Sequence, residues 1–432
     1  MNQASFNQSL LSFLDDSPTP FHAVETMKRQ LNAAGYQVLN EQDEWVISEG
    51  GKYYVTRNDS SIIAFTAPTL DFAHRGFRMV GAHTDSPCPK LKPNAHVDRF
   101  GHHQLGVELY GGVLVHTWFD RDLSIAGRVT VKTAQGSLKS CLIDFKDPIA
   151  VIPNLAIHLN RGVNSEGFKV NPQEEILPIL CGSDKDFELE AWLIEQVQRQ
   201  HPDFNVAAVL SFELSLYDVQ KAALTGLHQE YISASRLDNL LSCYVGLQAQ
   251  LDAKATQPSL LICTDHEEVG SQSACGANGP FLEDVLRRLV PNPEQYTQTV
   301  QRSMLISADN AHALHPNYAA KHDQLHAPQI NQGAVIKVNN NQRYATNSET
   351  TAVYKDIAAE LGLAVQTFVV RSDMACGSTI GPITSSEIGV ATLDIGLPTF
   401  AMHSIRELAG SEDAFKLYQV LCKFSEREHL MG

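Results

Sequence analysis

The sequence predicts an α/β protein organised on a mixed sheet and interrupted by an inserted, mostly β domain. Apolar strand-like runs alternate with helical patterns toward both ends of the chain, whereas the stretch between them is made of short alternating segments and glycine-rich turns. A length of 432 residues also exceeds what one hydrophobic core usually organises. The expected division is a discontinuous α/β domain from residues 1–92 and 232–432, with residues 93–231 inserted.

Val24, Met27 and Leu31 fall at helical spacing between Pro20 and Ala34, with Thr19-Pro20 suited to a start and Gly35 to a stop. Runs rich in β-branched and aromatic residues follow at Lys52 to Val55, Ser61 to Phe65 and Phe77 to Gly81. In the insertion, Gly106 to Leu109, Val113 to Trp118, Gly127 to Lys132 and Ser140 to Ile143 read as short strands, with one helix near Glu188 to Gln200. Beyond Ser235 the pattern predicts a helix Arg236 to Ala253, strands Leu260 to Thr264 and Met304 to Ser307, a helix Glu349 to Leu361 and a strand Val365 to Val370.

Composition narrows the function. With 33 Lys and Arg against 49 Asp and Glu, a formal charge of −16, a general nucleic-acid or anionic-membrane surface is excluded as the main role. No basic n-region precedes an apolar h-region and no apolar run approaches a membrane span, so a cytoplasmic protein is expected. The eight cysteines are scattered without a CxxC pair, which argues against a disulfide framework or a thiolate zinc site. Any metal is then expected on His and carboxylates, and 17 histidines are available.

The chemistry-bearing residues sit at the ends of predicted elements. His83-Thr84-Asp85 closes a strand, with the His able to bind a metal and the carboxylate two residues on able to orient its ring. Asp265-His266-Glu267-Glu268 follows the apolar run Leu260 to Cys263, where adjacent carboxylates call for a compensating cation. Asp238 opens a helix, Asp309 ends an apolar strand and His403 closes the last strand-like segment. Singly, each has a structural reading: an acidic loop, a helix cap, a satisfied histidine. As a set, His83, Asp238, Glu268, Asp309 and His403 suit two Zn²⁺-like ions sharing one carboxylate, with Glu267 left as a base. The stretch Cys376 to Pro382 lacks both the P-loop lysine and GxGxxG spacing, so it reads as a tight turn or a pocket wall.

Gly81-Ala82-His83-Thr84-Asp85-Ser86-Pro87, Ser235-Arg236-Leu237-Asp238-Asn239, Asp265 to Ser271, Ser307-Ala308-Asp309 with His312 and His315-Pro316-Asn317, and Ala401-Met402-His403-Ser404 together resemble the ordered signatures of the aspartyl aminopeptidase family. Ala156 to Arg161, Val335 to Asn339 and Gln342 to Ala345 extend the resemblance over nearly the whole chain. The resemblance implies a mixed-sheet metallopeptidase catalytic domain and an inserted dimerisation domain. It implies two divalent ions per subunit, zinc first with manganese or cobalt as alternatives: His83 and Asp309 on one, Glu268 and His403 on the other, Asp238 bridging. Glu267 becomes the general base of a metal-activated water, Asp85 the support of His83, and the Asp238-Asn239 bond is expected to be cis. Lys337 is expected to meet an acidic substrate side chain, Gly377 and Ser378 to lie beside the substrate, and His158 to reach a neighbouring subunit's site in a tetrahedral dodecamer.

The function these point to is release of single N-terminal residues, acidic ones first, from peptides with a free N-terminus. The alternatives are a related binuclear carboxypeptidase or N-acyl amino-acid deacylase, an aminopeptidase of neutral or basic preference, or a non-catalytic scaffold. The last would be marked by loss of Glu267 or a ligand, and neither is lost.

Overall fold

A computed structural model of the chain describes residues 1–430 and divides it into two units. The first comprises Met1–Asp85, Ala222–Met402 and the chain from Glu407 onward; the second comprises Ser86–Lys221 and His403–Arg406. The second unit thus begins before the expected residue 93, ends before 231 and takes in a short return segment.

The first unit is organised on a mixed sheet of twelve strands. At its centre Ser259–Thr264, Arg78–His83, Met304–His312 and Ala391–Phe400 lie side by side and parallel, and each is almost continuously buried, as strands covered on both faces must be. Leu237–Asp252 is buried around nearly its whole circumference and forms the central helix of that core. Gly246 permits its packing, because a Cβ there would press into Leu261 and Val80 of the sheet. The expected helix after Thr19 spans Pro20–Ala33, and Ser348–Glu360 starts with the Asn347 side chain accepting from the Thr350 N–H. The helix Gln3–Asp15 is an addition to the expected elements; its apolar face, Phe6, Leu10, Phe13 and Leu14, is buried in the same core.

The second unit holds a six-stranded antiparallel sheet in the order Leu138–Asp144, Leu123–Thr133, Val206–Asp218, Cys88–Arg99, His102–Tyr110, Ile179–Gly182. Its core joins Leu105, Ile125, Val129, Ile143 and Leu214 to Leu193 and Val197 of the helix Leu189–Gln200. Val113 to Trp118, expected as a strand, instead forms a 3₁₀ turn at Val115–Trp118. The Thr117 hydroxyl bonds the Leu114 carbonyl at 2.7 Å there, a local contact that competes with strand pairing. Among the described residues no helix is long and apolar enough to cross a membrane.

Candidate metal centre

The register of the central sheet brings the site together. Thr264 pairs with His83 and Ser307 with Gly81, so His83, Asp265 and Asp309 emerge at nearly the same level of the carboxyl edge. That edge is where α/β sheets bind ligands.

His83 is buried. Its Nδ1 lies 3.1 Å from the Asp85 carbonyl and 3.3 Å from Asp85 Oδ1, while Nε2 lies 3.4 Å from Asp238 Oδ1 and 3.6 Å from Asp309 Oδ1. A ring that donates from Nδ1 presents its Nε2 lone pair toward the two carboxylates, the orientation a metal ligand needs. Asp85 also braces the neighbouring turn, because its two oxygens accept the Glu267 and Glu268 N–H groups, each at 3.1 Å, and hold the glutamates against the histidine strand. Asp238 donates its N–H to Glu407 Oε2 at 2.9 Å, its bond to Asn239 is cis, and the Asn239 amide bonds the Ala308 carbonyl next to Asp309. Asp309 accepts from Lys337 Nζ at 3.1 Å, and the same ammonium donates to the Asn310 carbonyl at 2.8 Å.

The turns that carry these groups run through left-handed backbone at non-glycine positions: Arg236 (φ 59°), His266 (φ 66°), Ala401 (φ 57°) and His403 (φ 67°). Each costs about 1–2 kcal/mol relative to ordinary backbone, a cost that surrounding contacts must offset. Arg236 shows one such offset, its guanidinium donating to the Ser17 and Leu14 carbonyls.

Five carboxyl groups, Asp85, Asp238, Glu267, Glu268 and Asp309, converge in this region with His83 and Lys337 as cations. Burial pushes Glu267 up to about 7; His83 opposes that shift, and Asp309, Asp238 and Asp85 reinforce it. Burial and the Asp238 charge drive Glu268 higher still, to about 11. His83 goes the other way from a buried histidine, because Asp238, Asp309 and Asp85 outweigh its burial and raise it well above its ordinary value. Burial works against the Asp309 carboxylate too, yet Lys337 and His83 hold it well below the usual range. Glutamates that resist ionisation at neutral pH, packed beside other carboxylates, form a site that divalent cations would neutralise. The donors fit: one oxygen or nitrogen each from His83, Asp238 and Glu268 lie within 4.8 Å of one another, a nitrogen and oxygen set suited to Zn²⁺.

His403 belongs to the second unit, where its Nδ1 lies 3.1 Å from the Gly112 carbonyl, a contact that places the proton on Nδ1 and the lone pair on Nε2. His158 is exposed on a loop of the second unit. Lys337 is 3% exposed, above the Tyr344 ring. The Gly377 carbonyl accepts from Arg343 Nε and the Ser378 hydroxyl donates to the Arg343 carbonyl. Close backbone approach in that stretch falls at Gly381, where a Cβ would collide with the Asp394 carboxylate, while nothing lies within 4 Å of a Cβ at Gly377. Two contributors go beyond the expected set: Glu407, which fixes the Asp238 backbone, and Cys243, whose thiol bonds the His83 carbonyl at 3.0 Å. The only signal for Glu407 is an acid in the short apolar strand Glu407–Gly410.

The family model described as aminopeptidase I zinc metalloprotease (M18) matches residues 13–425. A relative from Ectopseudomonas mendocina (strain ymp), bearing the name "Probable M18 family aminopeptidase 2", is 58% identical over 419 residues, covering 96% of this chain and 97% of its own. Among solved structures, a chain of the Ape4 and Nbr1 complex superposes with a TM-score of 0.94 at 38% identity, over 98% of this chain and 86% of that one. The S. cerevesiae mApe1 dodecamer superposes with a TM-score of 0.84 at 28% identity, over 97% and 95%. With the family model spanning nearly its full length, the chain belongs to the M18 aminopeptidase I family of zinc metalloproteases and is a peptide hydrolase.

Proposed function

We propose that the enzyme is a binuclear aminopeptidase that removes single residues, acidic ones first, from free peptide N-termini. The observation that carries the proposal is the convergence of buried His83, Asp238 and Asp309 with half-buried Glu268, and with Glu267 held on the same turn by Asp85. In this reading His83, Asp238, Glu268 and Asp309 would hold the ions, His83 and Asp309 one and Glu268 the other with Asp238 shared, and His403 would be the further ligand that the family resemblance assigns. Such ions, when bound, polarise the scissile carbonyl and make water a nucleophile at neutral pH.

The chain's own groups do the rest. Glu267 takes the proton of the attacking water and passes it to the departing amine, a role open to a carboxylate that is not itself a ligand. Asp85 keeps that glutamate in place through its peptide N–H. Two of the three Lys337 protons are engaged by Asp309 and Asn310, and the third is assigned to the carboxylate of an Asp or Glu side chain. Gly377 and Ser378 would line the substrate's path.

The proposed assembly is a homo-oligomer, a dodecamer like that of the mApe1 relative, in which His158 serves a neighbouring copy's site by hydrogen-bonding the developing oxyanion. It is supported by the apolar residues around His158, since Leu155, Ile157 and Leu159 are 59%, 48% and 75% exposed on one loop. A cytoplasmic location is supported by eight cysteines that remain as thiols rather than joining in disulfides.

One observation favours a second reading, a neutral preference: Lys337 is already paired with Asp309. A panel of Asp-, Glu-, Leu-, Lys- and N-blocked peptides assayed with Zn²⁺, Mn²⁺ and Co²⁺ separates the two. Fastest turnover of Asp and Glu peptides is expected; Leu peptides turning over faster would sustain the neutral reading, and cleavage of blocked peptides would remove the aminopeptidase reading.

A further inference from the structure

The loop after Thr264 carries the metal-site glutamates and then doubles back on itself. The Asp265 N–H lies 3.4 Å from the Cys275 carbonyl, and that carbonyl also accepts the Ser61 hydroxyl at 2.7 Å. The return places Cys275, ten residues on in sequence and only 4% exposed, against Asp265 and His266. Cys275 Sγ lies 3.5 Å from His266 Nδ1, and His266 Nε2 lies 3.5 Å from Asp265 Oδ2. One donor atom from each of the three residues falls within 4.8 Å of the others. Ser273 Oγ adds a fourth polar atom, 2.8 Å from His266 Nδ1 and 3.5 Å from Cys275 Sγ.

These separations have a chemical meaning. Zinc bonds of about 2.3 Å to sulfur and 2.0–2.1 Å to nitrogen, at a tetrahedral angle, put the two ligand atoms about 3.6 Å apart. The observed 3.5 Å between Sγ and Nδ1 therefore already matches the edge of a zinc tetrahedron. Asp265 Oδ2 faces the other ring nitrogen, Nε2, so its carboxylate would have to turn toward the Nδ1 side to complete the set. The mixture of a thiolate, an imidazole and a carboxylate selects a borderline-soft ion and disfavours Mg²⁺ and Ca²⁺, which prefer oxygen alone. Burial of Cys275 and Asp265 excludes water from two sides, while His266 is half-buried and leaves a way in.

We propose that Asp265, His266 and Cys275 form an auxiliary binding site for a zinc-class divalent ion, separate from the centre built on His83, Asp238 and Asp309. The missing CxxC spacing gives no warning of it, because the fold and not local sequence brings the thiol to the histidine. His266 directly precedes Glu267, so an ion held here sits on the same turn as the proposed base.

The site is distinguishable from the catalytic centre by its sulfur. Holoenzyme with its catalytic ions in place is titrated with Co²⁺, following the thiolate-to-cobalt charge-transfer absorption and, after gel filtration, metal content per chain. The wild type is expected to gain this absorption together with about one additional ion per chain. Cys275→Ala should lose both while keeping peptidase activity and a cooperative melt; Cys275→Ser provides a near-isosteric replacement if the alanine variant does not fold. His266→Gln, which leaves the thiol but breaks the chelate, should weaken the added ion at least tenfold. Failure of the wild type to develop the absorption under excess Co²⁺, or its persistence unchanged in the Cys275 variants, overturns the proposal. Neither outcome depends on how many ions the oxygen and nitrogen centre holds, since that centre gives no thiolate band.

Discussion

Replacing Lys337 with leucine tests specificity and site architecture together. The ammonium is buried and divides its protons between Asp309 Oδ2 at 3.1 Å, the Asn310 carbonyl at 2.8 Å and, on the proposed function, a substrate carboxylate. Loss of the first two contacts affects every substrate alike. Loss of the third affects only acidic ones, and one charge-assisted hydrogen bond is worth about 1.5–3 kcal/mol, or roughly ten- to a hundredfold in rate. Lys337→Leu should therefore lower the ratio of kcat/KM for Asp and Glu peptides over Leu peptides by at least about tenfold, on top of a loss shared by both. The variant also takes from the buried Asp309 carboxylate the nearer of its two cations, leaving His83, a change that costs up to about 3–5 kcal/mol where nothing replaces it. Since ions at the site would replace it, the melting temperature should fall further in chelated than in metal-loaded protein. Kinetics on paired Asp and Leu peptides, with metal content measured on the same samples, provide the assay. Should both substrates lose equally and the ratio stay fixed, Lys337 acts only through Asp309, and the acidic preference has no cation to rest on.

Glu267→Gln should cut turnover by roughly two or more orders of magnitude while metal content stays near that of the wild type, because the side chain is assigned to proton transfer; metal loss measured in that variant would make Glu267 a ligand. Asp238→Ala removes the proposed bridge, so both ions should bind poorly, and two ions retained per chain would point to another bridging group. The third expectation concerns pH. Glu267, Glu268 and His83 all have raised folded-state values, so the metal-free fold is stabilised below their unfolded values, about 4.3 for glutamate and 6.5 for histidine, and loses that stability as pH rises, through about 7 for Glu267. Asp309, with a lowered value, keeps its contribution over that range and loses it only in strong acid. Ions take the place of those protons, so the gap in melting temperature between loaded and chelated protein should widen from about pH 5.5 to about pH 8; a gap that narrows would contradict the charge balance of the site.

Elements whose identity depends on local pattern were legible in the sequence. The helix Pro20–Ala33 has a threonine cap, a proline in its first turn and apolar residues at helical spacing, and the strand Ser259–Thr264 is an unbroken apolar run. The candidate site was readable for a related reason: His83, Asp265 and Asp309 each follow or close such a run, and polar residues there are placed by the sheet itself. What local pattern misled on is equally local, since Val113 to Trp118 alternates like a strand but is drawn into a turn by the Thr117 hydroxyl. Gln3–Asp15 carries Phe6, Leu10, Phe13 and Leu14 at helical spacing, but a polar residue, Asn7, is buried among them and donates to the Ser411 carbonyl.

Partners were not legible, and the reason is distance along the chain. Glu407 and Asp238 are 169 residues apart, yet the Glu407 carboxylate fixes the backbone of the proposed bridging ligand. Lys337 lies 28 residues beyond Asp309, and no sequence pattern says whether its ammonium faces substrate or carboxylate. A ligand's chemistry belongs to its own side chain and survives in the sequence, whereas the groups that set its charge and aim are supplied by strands paired only after folding. Predicting a ligand set therefore requires chemistry and strand ends, but predicting what tunes it requires the register of the sheet. Cys275 differs in distance, since it lies on the same loop as Asp265 and His266, but its approach to them depends on the return of that loop, which no residue spacing announces.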